Sequence, residues 1–401
     1  MSQRSSKAGT VCCVDAEGVP ALLCHALSRD ALPLARRLAA RLAAAPWRAP
    51  DGRNVATCRI SAPARLAEAD ICPFDDLAAF LAREYRRHTA HVFVGATGIA
   101  VRVLAPLLRH KSQDPPVVVL DPAGRFVISL LSGHWGGGNA LARHLAVLLQ
   151  ATPVITTASD QTAEQDGIQA AIAPAALDLL IRDAGLRILD WERLPQAQAA
   201  LLEGRTLRLW DPCRALPAAL PPRFERLPED WNHEDDARET LPLLAAHWRH
   251  LPPSPGLLRL AVPRLYAGLG CRRGIPKDAA LAALTELCGA HDLELQAVAS
   301  LATVTEKADE PALRATAARL RIPLRTFPAG ELARCATPNP SEAAGRRFNQ
   351  PPFSVCEASA LLAARADGHS AGLLLPKTAI QSCLTIAVAL AVPVTPTPQT
   401  A

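Results

Sequence analysis

Apolar residues recur at helical spacing over residues 33–45 and Pro46 and Pro50 follow, so the spacing predicts an amphipathic helix that stops there. Pro33 is tolerated in its first turn, where no intrahelical N–H is needed. A second amphipathic helix is predicted over 75–87. The pattern then changes to short apolar runs. His91-Val-Phe-Val-Gly95 reads as a buried strand, and a Gly turn leads from it into a helix over 99–108. Further strands are predicted at 117–121 and 126–131, then a Gly-rich turn at 133–138, a helix over 140–149 and a strand at 154–157. Alternation of this kind, with short loops, is the pattern of an α/β domain with a mainly parallel sheet.

Residues 161–255 break the rhythm. Four of the six Trp fall here, at Trp191, Trp210, Trp231 and Trp248, among clusters of Pro. Strands at 187–190 and 206–210 around a helix at 195–203 suggest a small middle α/β domain, and the Pro-rich, charged stretch 212–236 reads as a linker. At Leu258 the α/β pattern restarts, with strands at 265–270, 295–301, 323–327, 372–376 and 385–392 and helices at 276–291, 310–320 and 354–364. Residues 393–401 read as a frayed tail. The expected organisation is α/β throughout: residues 1–160 and 256–401 form two α/β domains with mainly parallel sheets, joined by the middle domain and linker at 161–255.

Composition narrows the partners. A chain of 401 residues has room for two or three domains, and with only 4% aromatics its cores must be built from Leu, Ala, Val and Ile. A net charge of +5 is modest, and the Arg36-Arg37 and Arg86-Arg87 pairs sit on helical faces turned to water. No basic patch is interleaved with aromatics, so no nucleic-acid partner is expected, whereas an anionic small molecule suits the balance. The 11 cysteines are odd in number and contain no CxxC, which points to reduced thiols with no disulfide framework and no metal site. Met1 to Thr10 is polar, without the apolar core of a secretory signal, and the run Leu384 to Val394 is too short to cross a bilayer. A cytoplasmic protein with no membrane partner is expected.

The densest chemical signal is Ser132-Gly-His-Trp-Gly-Gly-Gly-Asn139, with four of the chain's 22 glycines between a strand and a helix. Glycines permit close backbone approach, and a helix start offers N–H groups and the positive dipole end to an anion or oxyanion. Ser132, Gly133, Gly136, Gly137, Gly138 and Asn139 are therefore candidate binding residues. His134 has three open roles, as general base, metal ligand or hydrogen-bond donor, against the plain alternative of a tight turn with a structural His. Gly95-Ala-Thr-Gly98 is a second turn of this kind, in which Thr97 caps the helix or meets a ligand, and both turns are expected at carboxyl ends of strands. The third is Gly268-Leu-Gly-Cys-Arg-Arg-Gly274: Gly270, Arg272 and Arg273 suit a polycarboxylate, and Cys271 reads as a buried structural thiol in preference to a nucleophile. Lys307, Glu310, Glu357 and Lys377 lie at helix starts or a strand end, where capping or exposure would explain each by itself.

Taken together, these blocks resemble the cobalt-precorrin-5A hydrolase family. The stretches that carry the likeness are Phe93 to Arg102, Val118 to Asp121, Gly124 to Asn139 and Ala151 to Asp160, then Gly268 to Gly274, Ala299 to Glu310, Ser354 to Ala358 and Leu375 to Lys377 with Thr385 to Ala387. Gln161 to Ala175 and Ala302-Thr-Val depart from the family pattern. The resemblance implies hydrolysis of the ring A δ-lactone of cobalt-precorrin-5A, loss of carbon 20 with its methyl as acetaldehyde, and formation of cobalt-precorrin-5B in anaerobic cobalamin (vitamin B12) synthesis. It implies a cobalt-corrinoid substrate rich in acetate and propionate arms and no separate cofactor, since cobalt belongs to the substrate.

On that footing the residues suggest His134 as base or acid, the Gly136 to Gly138 amides as oxyanion donors, and Arg272, Arg273 and Lys377 as a carboxylate clamp, with the corrin between the two α/β domains. Transient contact with neighbouring pathway enzymes is an open expectation. The rival reading is a non-catalytic corrinoid carrier, which would bind pigment without releasing aldehyde. A nucleotide or sugar-phosphate enzyme is disfavoured, because neither a GxGxxG fingerprint nor a P-loop is present.

Overall fold

The computed structural model describes residues 21–66, 68–157, 177–220, 223–231, 242–380 and 383–392. The polar N-terminus, the Gln161 to Ala175 departure, the tail and part of the Pro-rich stretch lie outside the described residues. The chain divides into two compact units, Met1–Leu179 and Leu180–Ala401.

The first unit is built on a seven-stranded sheet in the order Ile71–Phe74, Thr57–Pro63, Ala21–Ala26, Ala90–Val94, Val117–Leu120, Phe126–Leu131, Thr152–Val154. Side chains alternate across it. Val92, Val94, Val118 and Leu120 meet Leu34, Leu38 and Leu42 of the helix Ala31–Ala44 and Leu141, Leu145 and Leu149 of the helix Gly138–Leu149. Phe93, Val117 and Val119 face the other way, onto Leu81 of Leu77–Glu84 and Ala100 and Leu104 of Thr97–Leu104. Helices on both faces explain why these strands read as unbroken apolar runs. Three strands of this sheet (Ala21–Ala26, Thr57–Pro63 and Ile71–Phe74) were not expected from the pattern. The last strand covers Thr152–Val154, displaced from the predicted 154–157.

Neighbouring strands run parallel with one exception, the hairpin of Val117–Leu120 and Phe126–Leu131. One oxygen of Asp121 accepts the N–H groups of Arg125 and Phe126, at 2.7 Å each, and Gly124 supplies φ +68°. This reversal corrects the grouping of the two Gly turns. Gly95 follows a strand running one way and Ser132 follows one running the other, so the turns lie at opposite ends of the strands and do not share a site.

A chain of buried polar groups crosses the second face. The Ser61 hydroxyl donates to His25 Nδ1 (2.7 Å), His25 Nε2–H to His91 Nδ1 (3.0 Å), and His91 Nε2–H to the Tyr85 carbonyl (2.8 Å). Burial keeps both rings neutral, and because a carbonyl only accepts, His91 must carry its proton on Nε2 and His25 on Nε2 in turn. Phe93 and Phe80 lie against His25, and His88 stands edge-on to His91 while pairing with Glu84 at 3.4 Å.

The second unit holds two five-stranded sheets. One has the order Arg187–Ile188, Leu257–Ala261, Leu243–His247, Leu207–Trp210, Phe224–Arg226. Two expectations are corrected here. Leu257–Ala261 completes this middle sheet by pairing with Leu243–His247, and does not open the C-terminal one. The Pro-rich stretch contains the edge strand Phe224–Arg226, and its entry is held by Asp211, whose carboxylate accepts the Ala215 and Leu216 N–H groups.

The other sheet has the order Leu324–Phe327, Val298–Val304, Leu265–Cys271, Leu384–Val392, Ser370–Ile380, parallel on one side of Leu265–Cys271 and antiparallel on the other. The helix Val355–Ala366 lies on it in close contact. A Cβ at Gly268 would come 1.8 Å from the Cys356 carbonyl oxygen and 2.7 Å from Ser359 Oγ, so only glycine permits this approach. Among the described residues, no helix is long and apolar enough to cross a membrane.

Two outcomes follow for stability. Gly268→Ala should cost about 3 kcal/mol through overpacking. Gly289→Ala, exposed in the helix Ala279–Ala290 with nothing within 4 Å, should gain roughly 0.5–1 kcal/mol. Thermal melts of both variants check the pair. Burial and the neighbouring imidazoles hold His25 below its usual range, and burial holds His91 at about 3. The unfolded chain therefore binds protons that the folded chain refuses below about pH 6.5. Stability is full above that pH and falls as pH drops, by about 1.4 kcal/mol per pH unit for each ring. Urea unfolding between about pH 7.5 and 5 should show the slope, and His91→Gln should remove one proton's share of it.

Candidate functional site

The turn after strand Phe126–Leu131 is held by its own backbone. The Gly137 N–H donates to the His134 carbonyl (3.0 Å), Gly138 N–H to Ser132 (3.0 Å) and Asn139 N–H to Gly133 (2.9 Å). Ser132 adopts φ +53° and its hydroxyl donates to the Asp114 carbonyl at 2.9 Å. Asn139 is buried, accepting from the Ser129 hydroxyl (2.7 Å) and donating to Thr157 (2.9 Å). At Gly137, φ is +81° and a Cβ would fall 2.6 Å from Pro50. The expected oxyanion role of the Gly137 and Gly138 amides is therefore corrected, since both donors are spent within the turn. Close packing explains the glycines.

What the turn presents is His134. Its Nδ1 stands 3.5 Å from Asp178 Oδ1, with the two side chains 14% and 13% exposed. Burial pushes the Asp178 carboxyl up, but the hydrogen bond to His134, its charge and that of Lys111 outweigh this and hold it below the usual carboxylate range. The other Gly turn offers less. The helix Thr97–Leu104 has Ala96 as its N-cap with no side-chain cap, so Thr97 does not cap it, and the Gly98 carbonyl accepts from Arg102.

The third turn opens onto a cleft of about 310 Å³ in the second unit. Four basic side chains line it: Arg272, Lys307, Arg347 and Lys377, together with Cys271 and the Gly270 backbone. Hydroxyls of Thr303, Ser341, Ser354 and Thr385 complete the polar lining.

Each cation has a local cause. Arg272 N–H extends the Leu265–Cys271 ladder by donating to the Cys383 carbonyl (3.0 Å), which fixes its backbone at the rim. Lys307, 4% exposed, pairs with Glu310 at 3.4 Å, and the other oxygen of Glu310 accepts the Gly274 N–H at 2.9 Å. Lys377 sits inside the strand Ser370–Ile380, not at its end as expected. Pro376 and two register shifts interrupt the ladder there, and the Lys377 N–H donates to Glu357 at 2.9 Å. Glu357 is fully buried and also accepts from both donors of Asn339 (2.7 and 3.1 Å). Burial pushes its carboxyl up, but these donors outweigh that and hold it below the usual carboxylate range. It braces the cleft from beneath.

Burial pushes the Cys271 thiol up, more than Lys307 pulls it down, which agrees with a structural thiol. Arg273 is exposed and does not line the cleft, so the expected Arg272–Arg273 pair contributes one arm only. Among the described residues no three His, Cys, Asp or Glu side chains gather to hold a metal ion.

The geometry can now be set beside known proteins. Three family descriptions match in order: Cobalamin synthesis G N-terminal over residues 79–160, Cobalamin biosynthesis central region over 175–261, and Cobalamin synthesis G C-terminus over 265–389. The cobalt-precorrin-5A hydrolase of Salmonella typhimurium is 36% identical over 325 residues, covering 78% of this chain and 82% of that one. The chain belongs to the cobalt-precorrin-5A hydrolase family. The family's Priestia megaterium member is 54% identical over 69 residues, 17% of this chain and 18% of its own. A solved cobalamin biosynthesis protein G homolog from Sulfolobus solfataricus covers 93% of this chain and 97% of its own at 20% identity, with a TM-score of 0.34.

For this family member, the structure brings Gly270, Cys271, Arg272, Lys307 and Lys377 to one cleft, with Glu310 and Glu357 behind it. It keeps Gly95, Thr97 and Gly98 apart from His134. Sequence reasoning missed Arg347, which lies in the last turn of Glu342–Phe348, and missed Asp178. Neither sits in a Gly turn, and only the fold places them.

The Lys307–Glu310 pair gives a sharp test. Glu310→Gln strands a buried ammonium and should cost about 3–5 kcal/mol. The apolar double variant Lys307→Met/Glu310→Leu should recover most of that loss in a denaturant titration.

Proposed function

We propose that this chain hydrolyses the ring A δ-lactone of cobalt-precorrin-5A, releasing acetaldehyde and giving cobalt-precorrin-5B in anaerobic cobalamin synthesis. The observation that carries the reading is the 36% identity along 82% of the Salmonella typhimurium cobalt-precorrin-5A hydrolase. The cleft supports it physically. Guanidinium and ammonium groups at Arg272, Lys307, Arg347 and Lys377 match the acetate and propionate arms of a corrinoid. Its volume of about 310 Å³ suits one edge of a macrocycle better than the whole.

Opening a lactone requires a water stripped of a proton, a stabilised tetrahedral oxyanion and a proton for the leaving oxygen. His134 serves as the proton carrier, taking the proton from water and returning it to the ring oxygen. The oxyanion needs donors other than the Gly137 and Gly138 amides, which are engaged. Cobalt enters with the substrate, so the reaction draws on no separate cofactor. The compartment is the cytoplasm, in keeping with an odd set of 11 cysteines lacking CxxC, and the pigment passes to neighbouring pathway enzymes by transient contact.

Acetaldehyde release from anaerobically prepared cobalt-precorrin-5A, with and without the purified chain, tests the activity. His134→Ala should lower kcat by about 10²–10⁴-fold with KM little changed. Arg347→Gln should raise KM by about tenfold and spare kcat. Pigment binding without aldehyde would replace the hydrolase with a carrier.

A further inference from the structure

We propose that Asp178 is the positioning residue for His134, the two forming a carboxylate–imidazole dyad that performs the proton transfers of lactone opening. The proposal rests on the reading of His134 as proton carrier and adds a residue to it.

The geometry makes the argument. His134 projects from a turn whose Gly137, Gly138 and Asn139 amides all donate within it, which holds the turn in one shape. Of its two ring nitrogens, Nδ1 faces Asp178 Oδ1 at 3.5 Å. A carboxylate there binds Nδ1–H and thereby makes Nε2 the basic nitrogen. It also steadies the imidazolium that forms once Nε2 has taken a proton. A dyad separation of 3.5 Å is long for a hydrogen bond, as is common before substrate tightens a site.

The charges facing the pair favour this division of labour. Lys111, from the loop before strand Val117–Leu120, and the Leu179 N–H (3.0 Å) both stabilise Asp178 as an anion. Asp178 therefore stays ionised while His134 cycles. On its own helix, Leu177–Asp183, Arg182 turns to Asp183 at 2.8 Å.

The step balances without an outside reagent. Water loses one proton to His134 Nε2 and its oxygen bonds the lactone carbonyl carbon. The tetrahedral intermediate collapses, the carbon–oxygen ring bond breaks, and the alkoxide that leaves takes the same proton from Nε2. Asp178 gains and loses nothing, so it acts through His134 and does not touch substrate.

A chain that stops within the N-terminal family match at residue 160 keeps His134 and lacks its partner, whereas the central-region match begins at residue 175. The dyad thus joins two matched segments inside one structural unit.

The test uses the full chain and measures kcat and KM for acetaldehyde release across pH for Asp178→Asn, Asp178→Glu, His134→Ala and the double variant Asp178→Asn/His134→Ala, with melts on each. Asp178→Asn should lose about 10–100-fold in kcat with KM near the parent value. Its acid limb should move to lower pH, because the anion that favours the imidazolium is gone. Asp178→Glu, which keeps the charge, should retain more activity than the isosteric Asp178→Asn. The double variant should be no slower than His134→Ala alone.

Parent kcat and an unmoved acid limb in Asp178→Asn would overturn the dyad while leaving His134 in place, as would additive losses in the double variant. Parent kcat in His134→Ala would remove the proton-carrier reading itself, and the dyad with it.

Discussion

The arrangement of the first unit depends on the carboxylate of Asp121. By accepting two backbone N–H groups from Arg125 and Phe126 it closes the one hairpin in an otherwise parallel sheet. Burial pushes that carboxyl up, but the two backbone donors and Arg125 hold it below the usual range, so it is ionised and accepting at neutral pH. The two strands after it, Phe126–Leu131 and Thr152–Val154, run the other way. The strand Phe126–Leu131 delivers the His134 turn to the end of the strands opposite Gly95, next to Asp114 and Pro50. Without the reversal, His134 would emerge beside the Thr97–Leu104 helix.

The two units solve the burial of polar groups differently. In the first, Ser61, His25 and His91 form a directed chain of neutral donors and acceptors that ends on a carbonyl. Each ring nitrogen of His25 and His91 is satisfied, while the buried carboxylates nearby, Glu84 and Asp114, pair with His88 and Arg86. In the second, charges are buried in pairs, Lys307 with Glu310 and Arg259 with Asp190 at 2.6 Å. Paired charges of this kind cost free energy to desolvate and return it only while both partners remain. The cleft gains a fixed ammonium from that arrangement.

Much of this was legible in the sequence, and the limits have physical causes. Strands with faces covered by helices announce themselves as apolar runs, which is why Ala90–Val94 and Val117–Leu120 were visible. Thr57–Pro63 hides because Arg59 and Ser61 interrupt it, and Ser61 is there to serve His25. Strand direction is not written in local pattern at all, so the grouping of Gly95 with His134 failed at the Asp121 hairpin. The Gly268–Gly274 block, Lys307 and Lys377 were identifiable and do converge. Arg347 and Asp178 were not, because each is one charged residue among many on an ordinary helix and acquires meaning only from what stands opposite.

Gly268 fixes the distance between the helix Val355–Ala366 and the sheet beneath it, with no space for even one methyl group. Val355 and Cys356 at the start of that helix line the cleft, and Gly270 on the same strand does too. The spacing of helix and strand behind the cleft is therefore set by close backbone approach. A lineage that adapts this protein to a pigment with a different set of carboxylate arms cannot do so by drawing the helix nearer the sheet. It must work from the rim, where Arg272 and Arg347 can be replaced without moving the floor.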